Sequence, residues 1–119
     1  MGAPVGFTLL KEILMTATTS YTLDELEAKV VEWGYQKGIL PQGQASKQFS
    51  KTLEEVSELC SAIEDDDHDE MVDAIGDIIV TLIMQANIQG VDLKECLGSA
   101  YAVISKRTGK MVNGIFVKD

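Results

Sequence analysis

Between Ile78 and Val91 the chain carries no charged residue, and the segment leading into it, Asp73-Ala-Ile-Gly-Asp77, sets two aspartates in an otherwise apolar run. Such a stretch favours a helix buried around most of its circumference, because little of its surface suits water. Asp77 stands between Ile75-Gly76 and Ile78-Ile79-Val80, so its carboxylate is expected to point inward, toward another helix. Removing an ionised group from water is costly unless a partner compensates. With 10 Lys and Arg against 19 Asp and Glu, the chain is short of cations, and a divalent metal is the natural compensator.

The 119 residues suit a single domain, and 45% hydrophobic with 24% charged residues matches a folded globular chain. A net charge of -9 argues against a nucleic acid polymer as partner, since such binding rests on bulk cationic charge. An anionic ligand must instead be met by metal ions and a few placed cations. Lys11-Glu12 interrupts the apolar patch near the N-terminus, which does not read as a signal peptide. No unbroken apolar run approaches the roughly 20 residues of a bilayer span, so the expectation is a cytoplasmic protein with no membrane partner. Cys60 and Cys96 lack metal-ligand spacing and are expected to be reduced, packed thiols.

Residues 1–20 give no clear period and are expected to be a leader or a short extra helix, with one domain over 21–119. Leu23, Leu26, Val30, Trp33 and Tyr35 recur at helical spacing and predict a helix ending near Gly38. A second helix is expected from about Ser46 to Ile63, with Phe49, Leu53, Val56, Cys60 and Ile63 as its buried stripe. Asp67 with Glu70, and Asp92 with Glu95, have capping-box spacing. They predict a third helix to about Gln89 and a fourth from Leu93 to about Lys106, terminated by Gly109. Asn113-Gly114 between apolar residues predicts a short hairpin or turn.

Gln48, Lys51, Glu55 and Glu58 fall on one face of the second helix, opposite its apolar stripe. Taken alone, this is a solvated face with Lys51–Glu55 pairing. Facing Asp73 and Asp77, however, Glu55 and Glu58 complete a four-carboxylate, oxygen-rich set suited to Mg²⁺ or Mn²⁺. A di-iron site would require Glu-x-x-His pairs, and His68 is the sole histidine. It lies in the acidic run Asp65 to Asp69, which reads as a solvated turn. Lys106, Arg107 and Lys110 could reach over a phosphate chain or simply answer the dipole of the fourth helix. Trp33 and Tyr35 are candidates to stack a base, or core aromatics.

The series Trp33, Lys51-Thr-Leu-Glu-Glu-Val-Ser-Glu-Leu59, Asp73-Ala-Ile-Gly-Asp-Ile-Ile-Val80, Ala100-Tyr101 and Arg107-x-Gly109 resembles the MazG-like all-α nucleoside triphosphate pyrophosphohydrolases, particularly small phage-type members. The likeness runs over about residues 22–117. The family pattern is Glu-x-x-Glu, a spacer, then Glu-x-x-Asp, and Glu55 and Glu58 match its first half. In the second half Ala74 stands three before Asp77 where the family has an acid, so Asp73 and Asp77 are favoured as ligands, with Glu70-x-x-Asp73 the alternative.

The resemblance implies an all-α four-helix MazG-like bundle assembling as a homodimer or homotetramer. It implies Mg²⁺-dependent hydrolysis of a (deoxy)nucleoside triphosphate to monophosphate and pyrophosphate, with Mn²⁺ as a substitute. Metal ligands would be Glu55, Glu58, Asp73 and Asp77, and Glu58 or Glu54 would serve as base. Gln48, Lys51, Trp33, Tyr101, Lys106, Arg107 and Lys110 would contact substrate. Two alternatives stay open: a pyrophosphatase for another diphosphate-bearing metabolite such as a phosphoribosyl nucleotide, and a non-catalytic dimeric helical module.

Overall fold

Thr22 opens the first long helix by reciprocal capping: its Oγ1 accepts from the Glu25 amide at 3.1 Å, and its own amide donates to Glu25 Oε1 at 3.2 Å. The computed structural model describes residues 9–14 and 20–119. Residues 9–14 are helical (α1), and residues 1–8 and 15–19 of the expected leader lie outside the described residues. The chain then forms α2 (Leu23–Gln36), α3 (Ala45–Glu64), α4 (His68–Ile88), α5 (Leu93–Ile104), β1 (Gly109–Val112) and β2 (Ile115–Lys118). It is thus an all-α bundle with a C-terminal hairpin.

Both predicted acidic starts are present. The Asp67 carboxylate accepts from the Glu70 amide at 3.2 Å and begins α4. Asp92 and Glu95 form a complete capping box at the start of α5. That helix ends at Ile104, before Gly109, and Gly109 belongs to β1 instead. In the hairpin Asn113 and Gly114 both have positive φ, 51° and 84°, as a two-residue type I′ turn requires. The turn fixes the register in which Val112 faces Ile115 and Met111 faces Phe116.

The core is small. Leu40, Ile83 and Met84 are buried together, with Val30, Val31, Ile39, Ile88 and Leu93 packed around them. The Ile39 and Leu40 amides both donate to the Gly34 carbonyl, at 2.9 and 3.2 Å, which folds the loop back onto α2. At Gly34 itself a β-carbon would stand 2.6 Å from the Met84 sulfur, so the absent side chain is what lets α2 approach α4. The ion pair of Lys94 with Asp24, 3.3 Å long, ties the first turn of α5 to the first turn of α2.

The buried stripe expected on α3 is on the wrong side. Phe49, Leu53, Val56, Cys60 and Ile63 are all exposed, Phe49 to 55%. The face turned to α4 carries Gln48, Thr52, Glu55, Leu59 and Ala62, of which Thr52 and Ala62 are buried. Helical periodicity separates two opposite faces, but it cannot say which one the neighbouring helix takes. The outer residues Val72, Ile75 and Ile79 of α4 are likewise exposed, and α5 buries none of its residues. Both cysteines are exposed free thiols, not packed ones.

By length and composition α4 is apolar enough to cross a membrane. It nevertheless carries Asp73 and Asp77, and its Thr81 hydroxyl and carbonyl bond to α3. Met84, 1% exposed, closes the core between α2 and α4. Met84→Ala is expected to destabilise the chain by about 2–4 kcal/mol, read as a lower denaturant midpoint with an unchanged slope.

Candidate functional site

The α3/α4 pair is antiparallel, and polar bonds set its register. Thr52 Oγ1 donates to Thr81 Oγ1 at 3.0 Å, and Thr81 Oγ1 donates onward to the Ile78 carbonyl at 2.7 Å. Gln48 Nε2 donates to the Thr81 carbonyl at 3.1 Å, and Gln85 Nε2 to the Ala45 carbonyl at 3.2 Å. Because the helices run in opposite directions, one turn beyond Thr52 on α3 faces one turn before Thr81 on α4. That places Glu55 and Glu58 opposite Asp77.

Carboxylate oxygens of Glu55, Glu58 and Asp77 lie within 4.8 Å of one another. Glu55 is half-buried, and its Oε2 is occluded without a hydrogen-bond partner. Its pKa is raised above the ordinary carboxylate value, first by loss of hydration, then by the neighbouring Glu58 carboxylate, with Asp77 and Glu54 adding to it. The approach of Glu58 is one that a proton would turn into a hydrogen bond. Asp77 is also raised, by partial loss of hydration, then by Asp73 and Glu58. It was expected to be buried; it faces α3 but stays exposed at the rim, where no element among the described residues covers it.

Asp73 sits one turn before Asp77, outside the group of three, and pairs with Lys11 Nζ at 3.7 Å. Glu54, expected as a base, and Lys51, expected as a phosphate contact, pair with each other at 3.4 Å with both side chains exposed, beside the group of three. Glu70, the alternative ligand, lines a groove of about 220 Å³ with Ser57, Glu58, Ser61, Ala62, Asp65 and Asp67. The groove adjoins the carboxylates through Glu58. Gln48 is committed to the Thr81 carbonyl. Trp33, Tyr101, Lys106, Arg107 and Lys110 are exposed, and among the described residues none of them bonds to the carboxylates.

Three oxygens converging with a buried, unpartnered Oε2 are the donors a hard divalent cation takes. The residues therefore fit Mg²⁺ or Mn²⁺, and like charge at this spacing is relieved when such an ion is held. Two features were missed in the sequence. Thr52 and Thr81 could have been found as polar residues on helix faces that alternate with the apolar stripes, whereas Lys11 lies in a segment without periodicity and gave no signal.

An all-α bundle whose antiparallel helix pair gathers these carboxylates is of the MazG-like pyrophosphohydrolase class. Within that superfamily, the chain belongs to the phosphoribosyl-ATP pyrophosphohydrolase family, whose model matches residues 17–101. The match takes in α2, α3, α4 and most of α5 and leaves out the hairpin. The chain is also similar to an uncharacterized 18.2 kDa protein from the rep-hol intergenic region of Haemophilus phage HP1, 30% identical over 70 residues. That likeness covers 59% of this chain and 43% of the phage protein, so the chain spans less than half of its relative's length. No solved structure matches the chain.

Raised carboxylate pKa values set the sign of a pH effect. Stability from Glu55 and Asp77 is fully present below their ordinary values and is lost as pH rises through the raised ones, where both ionise at close range. With chelator present, Tm is expected to climb as pH falls from neutrality toward about 5. A Glu55→Gln, Asp77→Asn double variant should show a smaller climb, measured by thermal unfolding at each pH.

Proposed function

We propose that the chain is a Mg²⁺-dependent pyrophosphohydrolase that cleaves the triphosphate of a nucleotide to a monophosphate and pyrophosphate. The observation that carries this reading is the meeting of Glu55, Glu58 and Asp77 around a buried, unpartnered oxygen. A bound divalent cation supplies charge neutralisation at the phosphates and Lewis acidity. The chain's own part is to hold that charge with the three carboxylates and to align the triphosphate beside Glu58.

Glu58 reaches both the cluster and the adjoining groove and is the residue proposed to accept the proton of the attacking water. Glu54, held by Lys51, is the weaker candidate. Lys51, Trp33, Tyr101 and the cations Lys106, Arg107 and Lys110 enter as substrate contacts on the strength of the resemblance. A (deoxy)nucleoside triphosphate is the leading substrate. Phosphoribosyl-ATP is the second, because it is the compound in the matching family's description.

The test is pyrophosphate release from a panel of NTPs, dNTPs and phosphoribosyl-ATP with Mg²⁺ or Mn²⁺. Asp77→Asn is expected to lower turnover on the order of 10²-fold or more, while Tm in the absence of metal stays level or rises as like charge is removed. Full activity in that variant would contradict the metal role. Absence of pyrophosphate from every nucleotide, with no response of Tm to either ion, would favour a non-catalytic helical module.

The functional unit is proposed to be a homodimer or homotetramer. Phe49, Leu53 and Val56 on α3, with Ile75 and Ile79 on α4, leave a large apolar surface open in the single chain, of the kind that marks an interface. Leu53→Glu is expected to shift the species seen by sedimentation velocity toward monomer. An unchanged assembly would place the interface elsewhere.

A further inference from the structure

Lys11 is the feature that neither the sequence pattern nor the family accounts for, since it precedes residue 17, where the family match begins. Its Nζ lies 3.7 Å from Asp73 Oδ2, with the two side chains 44% and 51% exposed. An exposed pair of this kind adds little to stability. Nor does burial explain the position of α1, because Leu9, Leu10, Ile13 and Leu14 are each more than half exposed. What the contact does achieve is to bring a cation to the edge of an anionic cluster, one helical turn from Asp77.

Such a cluster repels the polyanion it would have to accept. A lysine next to it offers a flexible four-carbon stem and three donors on a compact charge. Lys51, on the α3 side, rests in a similar exposed pair with Glu54, so Lys11 adds a second cation on the α4 side. The weak, solvent-facing pair with Asp73 lets Lys11 exchange one anionic oxygen for another without moving far.

Resting on the pyrophosphohydrolase reading above, we propose that Lys11 is a substrate-binding residue that leaves Asp73 to hold the pyrophosphate moiety of the nucleotide. The segment before the family domain thereby supplies part of the phosphate site. Asp73, in turn, acts as the resting partner that keeps the ammonium poised at its edge.

The experiment uses the full chain as wild type, Lys11→Met and Lys11→Arg. Inorganic pyrophosphate is titrated by calorimetry at saturating Mg²⁺, and Mn²⁺ binding is followed separately by electron paramagnetic resonance. Lys11→Met is expected to weaken pyrophosphate binding about tenfold, with Mn²⁺ binding no weaker than wild type and most of the pyrophosphate affinity kept in Lys11→Arg. Equal pyrophosphate affinity in wild type and Lys11→Met, with Mn²⁺ still bound, overturns the role of Lys11 and leaves the metal site standing. Loss of Mn²⁺ binding in Lys11→Met overturns it too, because the residue would then act on the scaffold. A wild-type chain that binds no Mn²⁺ removes the site and the inference together.

Discussion

The polar seam between α3 and α4 is the constraint on which the rest of the molecule depends. Thr52, Thr81 and Gln48 form a bonded set across it, and a partly buried donor left without its acceptor is more expensive than the bond is favourable. A purely apolar seam could slide by a turn at modest penalty. This one cannot, and the register it holds is the one that sets Glu55 and Glu58 against Asp77. The small residues Ala62 and Ala74, both buried, let the same two helices stay close where the carboxylates meet.

The electrostatics run against the fold locally. Three carboxylates lie within 4.8 Å of one another, the pKa values of Glu55 and Asp77 are raised, and Glu55 Oε2 lacks a donor, so the arrangement stores repulsion that a neutral set would avoid. Strain of this kind is characteristic of places where charge is to be received. Lys11 on one flank and Lys51 on the other are partnered with Asp73 and Glu54, the two acids that stand outside the group of three. The cations thus neutralise the margins and leave the centre anionic.

Much of the secondary structure was legible because its signals are local. Asp67 with Glu70, Asp92 with Glu95, and Asn113-Gly114 act through bonds or backbone angles within four residues, and each forms as its sequence suggests. The α3 apolar stripe was legible as a stripe and misread as a core. Phe49, Leu53 and Ile63 point away from α4, since two opposed faces satisfy helical periodicity equally and the choice between them belongs to the partner surface. The same reason leaves Asp77 at an open rim.

The sequence by itself determined the existence and order of the four long helices and the hairpin, the starts of α4 and α5, the excess of acid over base, and the carboxylates that share a helix face, because each follows from composition or from spacing along one segment. Tertiary structure alone decided that Glu55, Glu58 and Asp77 meet while Asp73 takes Lys11 and Glu54 takes Lys51. Those outcomes depend on the register of two antiparallel helices and on where α1 comes to lie. Such relations join residues far apart in the chain, and no periodicity within a single segment encodes them.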